Sequence, residues 1–128
     1  MGDIRYFILS HTNFKRGECK RHPLFIHERN SDAAQKHAQY VLEEMQKWGE
    51  HRIWEIKHSN PFFSGEYASE NMGYSKGSDS LEGHISGIIS SFDESHWNNM
   101  INPAWAHIGA EIAYNPESGL LVLVQRFY

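Results

Sequence analysis

The chain contains three residues whose side chains could together bind a metal ion: His58, Glu70 and His96. They lie among 128 residues that include nine histidines. Two imidazole nitrogens and one carboxylate oxygen suit a zinc-like divalent ion that keeps an open position for water. Their spacing matches no metal-binding motif. The residues alone therefore leave open whether they share a site, or lie apart at a strand end, a cap and a surface turn.

Two further carboxylates, Asp93 and Glu94, lie three and two residues before His96. One of them could reach the imidazole ring, and an exposed pair of carboxylates is the alternative. In a metal-dependent hydrolase the ion would activate water, with Glu70 or Glu94 as the general base. Nucleophilic catalysis has less support, since no serine lies in a GxSxG turn and Ser95 merely adjoins His96 in sequence.

Composition excludes several classes of function. The net charge is −4 with neutral histidines, and no run of Lys and Arg exists to neutralise phosphates. Nucleic acid and anionic membranes are therefore not expected partners. Cys19 is the single cysteine, so no internal disulfide can form. No stretch approaches the ~20 apolar residues of a transmembrane helix, and the first residues predict a folded helix rather than a signal peptide.

Hydrophobic periodicity predicts two helices in the first half of the chain. Apolar residues at i, i+3 and i+4 spacing predict a helix over residues 3–13. The second helix is predicted to begin at Ser31, as its cap, and to end at Gly49. His37 is expected to be half-buried beside its apolar stripe. That stripe consists of Ala34, Ala38, Val41, Met45 and Trp48.

Residues 59–80 are predicted to form a long loop. It contains Pro61, several glycines and serines, and four aromatic residues. Loops of that length in compact domains are usually functional or disordered, and the aromatics argue against disorder. Three of its residues, Phe63, Asn71 and Tyr74, are expected at the rim of a cleft, although such aromatics also commonly pack a loop against helices.

The second half of the chain predicts a helix and a hairpin. The helix covers residues 81–92, with Ser78 or Ser80 as its cap. The hairpin pairs residues 107–115 with residues 120–128, whose LLVLV run predicts a central strand that is covered on both faces. The expected fold class is α+β, a three-layer α/β/α sandwich with a central antiparallel sheet.

Six segments, taken together, resemble the motifs of a known family. In the order of the chain they are ILSHTNFKR, SDAAQKHAQYV, IKHS, SENMGY, ESHWNNMINPAWAHIGAEIAY and VLVQRFY. They resemble the CAP superfamily (cysteine-rich secretory proteins, antigen five and pathogenesis-related proteins, also called SCP-like), in its compact bacterial-type branch. The resemblance covers nearly the whole chain and implies one CAP domain over residues 1–128.

The resemblance also implies a site. Members of the superfamily share the α/β/α sandwich and a central cleft whose histidines and acids hold a divalent ion in some members. By motif, the metal ligands fall on His58, His96 and Glu70, with Asp93 or Glu94 as a further acid, and zinc is the expected ion.

The expected function is therefore that of a CAP-domain protein without an established enzymatic activity. Its cleft is expected to bind the ion and a small apolar ligand or a protein partner. Two alternatives stay open: a metal-dependent protease or esterase that uses the same cleft, and a sterol- or lipid-binding module. Family resemblance also implies an extracellular or exported protein, and a monomer or weak dimer is expected.

Overall fold

Helices precede and flank a small sheet in this protein. The computed structural model describes residues 2–56, 69–77 and 80–128, and the side chains from residue 4 onward. A 3₁₀ helix, Glu50–Glu55, lies between the second helix and the second strand. The remaining elements are α1 (Gly2–Glu18), β1 (Phe25–Ile26), α2 (Glu28–Trp48), β2 (Ser69–Lys76), α3 (Leu81–Ser91), α4 (Glu94–Met100), β3 (His107–Asn115) and β4 (Leu120–Phe127).

The sheet has four strands in the order β1-β3-β4-β2. The predicted hairpin is confirmed, because β3 and β4 pair antiparallel, as do β2 and β4. The expectation of a strictly antiparallel sheet is wrong, since β1 pairs parallel with β3. Strand β1 is only Phe25–Ile26, too short for any periodic signal in the sequence.

Three layers confirm the α/β/α architecture. Helix α2 covers one face of the sheet, where its apolar stripe packs against Val122 and Val124 of β4. Helices α1, α3 and α4 cover the other face, where Leu121 and Leu123 of β4 contribute to the core. All eight residues of β4 are buried, as expected for a central strand covered on both faces.

Helix α2 begins earlier than predicted. His27 is its cap, and the Nδ1 of His27 accepts a hydrogen bond from the backbone N–H of Asn30 at 3.2 Å. The predicted cap, Ser31, lies within the helix and is buried, and its hydroxyl accepts from the backbone N–H of Ala110 at 3.0 Å. The Ser-Asp pair therefore resembles a capping signal, although Ser31 contacts β3 and Asp32 pairs with Arg5 of α1. His37 is fully buried at 0 % exposure, not half-buried.

The predicted loop over residues 59–80 is corrected in part, because Ser69–Lys76 form strand β2 along the whole length of β4. The sequence SENMGYSK lacks the apolar–polar alternation that is typical of a strand, because polar residues fall on both faces of β2. Residues 57–68 and 78–79 lie outside the described ranges. Ser80 caps α3, as predicted, by accepting from the N–H of Gly83 at 2.9 Å.

Among the described residues, no helix is both long and apolar enough to cross a membrane.

Candidate functional site: the cleft around His96

His96 lies in the first turn of α4, and Asp93 holds its ring. The Asp93 carboxylate caps the helix, accepting at Oδ1 from the His96 backbone N–H at 3.1 Å. The same oxygen lies 2.7 Å from Nδ1 of the imidazole. Because an ionised carboxylate only accepts, Nδ1 carries the proton in the neutral ring. Nε2 is then the atom that His96 can offer as a base or an acceptor.

The Asp93 carboxylate is ionised at neutral pH for a local reason. Hydrogen bonds from the His96 ring, the Ser95 hydroxyl and the His96 backbone N–H hold the pKa of Asp93 well below its usual range. The Ser95 hydroxyl donates to Oδ1 of Asp93 at 2.7 Å. Ser95 is therefore a partner of the carboxylate, not a nucleophile aligned on the imidazole.

An aromatic ring fixes the plane of the His96 imidazole. The ring of Phe92, the residue that caps the C-terminus of α3, stacks on His96 with centroids 4.7 Å apart and an angle of 7° between planes. The histidine is thus held by a carboxylate at Nδ1 and by a ring on one face. Such restraint keeps Nε2 in one direction, which favours a defined interaction with a ligand.

A chain of buried amides attaches α4 to the sheet. Asn71 of β2 donates from Nδ2 to the backbone oxygen of His96 at 3.0 Å and to Oε1 of Gln125 at 3.2 Å. Its Oδ1 accepts from Asn99 of α4 at 3.0 Å. Gln125 in turn donates to the Thr12 hydroxyl of α1 at 3.0 Å. Asn71 is only 2 % exposed, and its amide connects the backbone of His96 to β2.

Two pockets meet at His96. The polar pocket, as we name the first, has a volume of about 440 Å³. The aromatic pocket, as we name the second, has a volume of about 240 Å³. The polar pocket is lined by Ser69, Glu70, Asn71, Ser95, His96, Asn98, Asn99 and Asn102. The aromatic pocket is lined by Trp54, Met72, Gly73, Tyr74, Ile88, Ser91, Phe92, Asp93 and His96.

The carboxylate of Glu70 does not enter the polar pocket. Its side chain is 0 % exposed and accepts a hydrogen bond from Nε of Arg126 at 2.6 Å. Nε2 of His37, on α2, lies 3.8 Å from the same carboxylate. Since the side chain is fully covered, only the backbone of Glu70 faces the pocket. The carboxylate therefore lies on the α2 side of the sheet, whereas His96 lies on the α4 side.

Comparison with known families decides the identity of the fold. The model of the cysteine-rich secretory protein family, CAP, matches residues 9–127. The chain belongs to the CAP family. No curated protein matches the sequence of this CAP domain at a significant level.

A solved structure supports the same fold. The CAP domain is similar to the crystal structure of an extracellular protein containing a SCP domain from Bacillus anthracis str. Ames, with a TM-score of 0.60 and 12 % sequence identity. The match covers 98 % of this chain and 40 % of the Bacillus protein. The CAP domain thus spans well under half of that protein, and the likeness concerns the fold alone.

The described residues of the CAP domain do not by themselves form the expected zinc site. The Glu70 carboxylate accepts from Nε of Arg126 at 2.6 Å. Within the described ranges, no group of three or more His, Cys, Asp and Glu is placed to hold a metal. His58 and Phe63 lie outside those ranges, and their parts in a metal site and a rim stay predictions. Glu94 is exposed in the first turn of α4.

Some features of this cleft can be predicted from the sequence and others cannot. Asp93 precedes His96 by three residues, which is the spacing of a cap whose side chain meets the first turn. No sequence pattern points to Trp54, because the segment that carries it has weak periodicity and folds as a 3₁₀ helix. Tyr74 is predicted at the cleft, and its ring lines the aromatic pocket.

Proposed function

We propose that this CAP domain is a binding module whose ligand lies in the polar pocket and contacts Nε2 of His96. The observation that carries this proposal is the neutral character of the pocket. Its side chains are amides, hydroxyls and one imidazole, and the one acidic residue contributes only backbone. The volume of about 440 Å³ falls within the range of about 300–1,000 Å³ that is typical of ligand pockets.

The lining favours a neutral ligand that carries several hydroxyl or amide groups. A charged ligand would lose hydration there without meeting an opposite charge from the residues that line the pocket. Asn98 is exposed, and Asn102 accepts at Oδ1 from the N–H of Ala104 at 2.9 Å, so its amide nitrogen is the group it offers. Both amides and Nε2 of His96 would exchange hydrogen bonds with such a ligand.

A disaccharide with both hydroxyl and amide groups is a suitable probe. We expect N,N′-diacetylchitobiose to shift the side-chain amide signals of Asn98 and Asn102 in proton–nitrogen NMR spectra. Asn98→Ala should weaken the binding, whereas Gln39→Ala should leave it unchanged, since Gln39 is an exposed amide on α2 that bonds to Glu43. Absence of shifts at tens of millimolar disaccharide, or equal shifts on α2, would overturn the proposal.

A second candidate function is metal-independent hydrolysis, and the Asp93–His96 hydrogen bond of 2.7 Å favours it. In this scheme Nε2 of His96 takes a proton from water, the water oxygen attacks an ester carbonyl, and the imidazolium returns the proton to the leaving alcohol. Purified protein would then hydrolyse p-nitrophenyl acetate in the presence of chelator. His96→Ala would lower the rate by about 10²–10⁴-fold, the usual contribution of a general base.

The same assay separates this candidate from the metal-dependent hydrolase. Loss of turnover with chelator and its return with zinc would favour the metal route through residues that include His58. Turnover that survives His96→Ala would exclude both routes through this histidine. No turnover by the pure protein favours the binding module.

We infer an extracellular location for this CAP domain. The inference is supported by its likeness to the Bacillus protein, which is described as extracellular, and by membership of a family named for secreted proteins. We also propose that the cleft can bind a lipid or a protein partner. Recovery of the protein in the culture medium of cells that express the natural gene would test the location.

A further inference from the structure

The aromatic pocket beside His96 has a chemistry of its own. We propose that it binds the alkylated ammonium group of a small soluble ligand, by cation–π contact within a partial aromatic cage and by attraction to Asp93. This site is distinct from the polar pocket, and its occupation does not require a ligand there.

Three aromatic side chains from three different elements line this pocket. Trp54 comes from the 3₁₀ helix, Tyr74 from β2 and Phe92 from the end of α3. Trp54 is 74 % exposed, an unusual position for so large an apolar side chain. Aromatic rings grouped around a small space are the arrangement that recognises quaternary ammonium ligands, because each ring face carries negative charge density.

A glycine brings the cage together. A Cβ atom on Gly73 would lie 2.5 Å from Cγ2 of Ile88 and 3.0 Å from Cε1 of Phe92. The first contact is closer than packed atoms allow and the second is unusually tight, so glycine at this position lets α3 and the Phe92 ring approach β2.

Charge around the pocket favours a cation. The Asp93 carboxylate lines it and is 69 % exposed. Burial first, and then the nearby Glu50 carboxylate, raise the pKa of Tyr74. Lys76 partly balances Glu50, with Nζ 3.3 Å from Oε2. Among the described residues that line the pocket there is no Lys or Arg to repel a cation.

The lining favours an alkylated ammonium over a bare one. A primary ammonium needs three hydrogen-bond acceptors to replace its water, whereas a quaternary ammonium needs none. The hydroxyl of Ser91 already donates to the backbone oxygen of Ile88 at 3.0 Å. The volume of about 240 Å³ lies below the range of about 300–1,000 Å³ for pockets that enclose drug-sized ligands. A small soluble ligand group therefore suits the space.

Choline and its neutral isostere 3,3-dimethyl-1-butanol give a direct test. The two probes have nearly the same shape, and only choline is charged. We expect choline, at constant ionic strength, to shift the indole N–H signal of Trp54 in proton–nitrogen NMR spectra. We expect the neutral isostere to bind about threefold to thirtyfold more weakly, the ratio that corresponds to a cation–π contact.

Matched tryptophan variants show where the probe binds. Trp54→Ala should weaken choline binding by about threefold to tenfold, as expected for one ring of a cage. Trp48→Ala is the control, because Trp48 is 58 % exposed and pairs with Lys47, whose Nζ lies 5.2 Å from its ring. Asp93→Asn should also weaken choline more than the isostere.

Three results with soluble choline would overturn the proposal. They are equal affinity for choline and the isostere, equal weakening by Trp48→Ala and Trp54→Ala, and no response to choline at tens of millimolar. Binding to phosphatidylcholine vesicles without any response to soluble choline would also overturn it, in favour of a lipid surface. The disaccharide titration of the polar pocket uses different reporter signals, so failure of one proposal is distinguishable from failure of the other.

Discussion

Two neighbouring cross-strand pairs of β2 and β4 form different kinds of contact on the two sides of the sheet. Glu70 pairs with Arg126 in a buried ion pair on the α2 side. One residue further along, Asn71 pairs with Gln125 in a chain of neutral amides on the α4 side. Successive residues of a strand point to opposite faces, so adjacent polar residues of one motif acquire unrelated roles.

The two pairs contribute differently to stability and to ligand binding. The ion pair lies among fully buried groups and has no side chain open to a ligand. The amide chain ends at α4, where it holds the helix that presents His96 to two pockets. The Glu70–Arg126 pair is therefore assigned to stability and the cleft around His96 to binding.

The largest expected effect is on the charged side. Arg126→Met should lower the free energy of unfolding by about 3–5 kcal/mol, because it leaves the Glu70 carboxylate buried without its guanidinium. Urea unfolding would measure this loss. The double variant Glu70→Leu with Arg126→Met should recover much of it, since apolar groups of similar size often replace a buried pair without penalty. Equal stability of Arg126→Met and the natural protein would contradict the stabilising role of the Glu70–Arg126 pair.

A smaller effect is expected on the amide side. Asn71→Ala should cost about 1–3 kcal/mol, because Gln125 and Asn99 each lose a buried partner. The backbone signals of α4 should shift with it in NMR spectra. Asn98→Ala is the matched control on the same helix, since this exposed amide should change stability by less than about 0.5 kcal/mol. If both variants behave alike, Asn71 does not anchor the helix.

The smallest expected effect is at the surface, where Asp93 caps α4. The lowered pKa of Asp93 means that its ionised form stabilises the fold above the carboxyl's ordinary pKa of about 4. That stabilisation is lost as the pH falls from there toward the lower folded pKa. Asparagine is also a good cap, so Asp93→Asn removes the charge while it retains the capping hydrogen bond.

Thermal unfolding of Asp93→Asn at several pH values would detect the change. The natural protein should be the more stable of the two at neutral pH, and the gap should narrow in acid. A gap that is constant from neutral pH down to about pH 2 would show that the Asp93 charge does not interact with His96.

The elements that the sequence predicts correctly are those whose signals are local. The hairpin, the helix that Ser80 caps and the central position of β4 all depend on periodicity or on a nearby cap. Asp93, whose carboxylate contacts the His96 ring, lies only three residues away in the chain, so this contact can be predicted for the same reason.

Strand β2 and the side occupied by Glu70 cannot be predicted in the same way. The face of a strand residue depends on register, and a shift of one residue moves every side chain to the other face. SENMGYSK offers no alternation to fix that register. The partner that determines it, Arg126, lies 56 residues away in the chain. Family resemblance matches the motif around Glu70 but carries no information on the ion pair.

The most direct test of this division compares His96→Ala with Glu70→Gln in one ligand titration. N,N′-diacetylchitobiose binding would be followed by NMR at a temperature where both variants are folded. We predict that His96→Ala weakens binding by at least about tenfold, as loss of about 1.4 kcal/mol would produce, and that Glu70→Gln, although less stable, stays within about twofold of the natural protein. Binding that survives His96→Ala but is lost in Glu70→Gln would contradict the account.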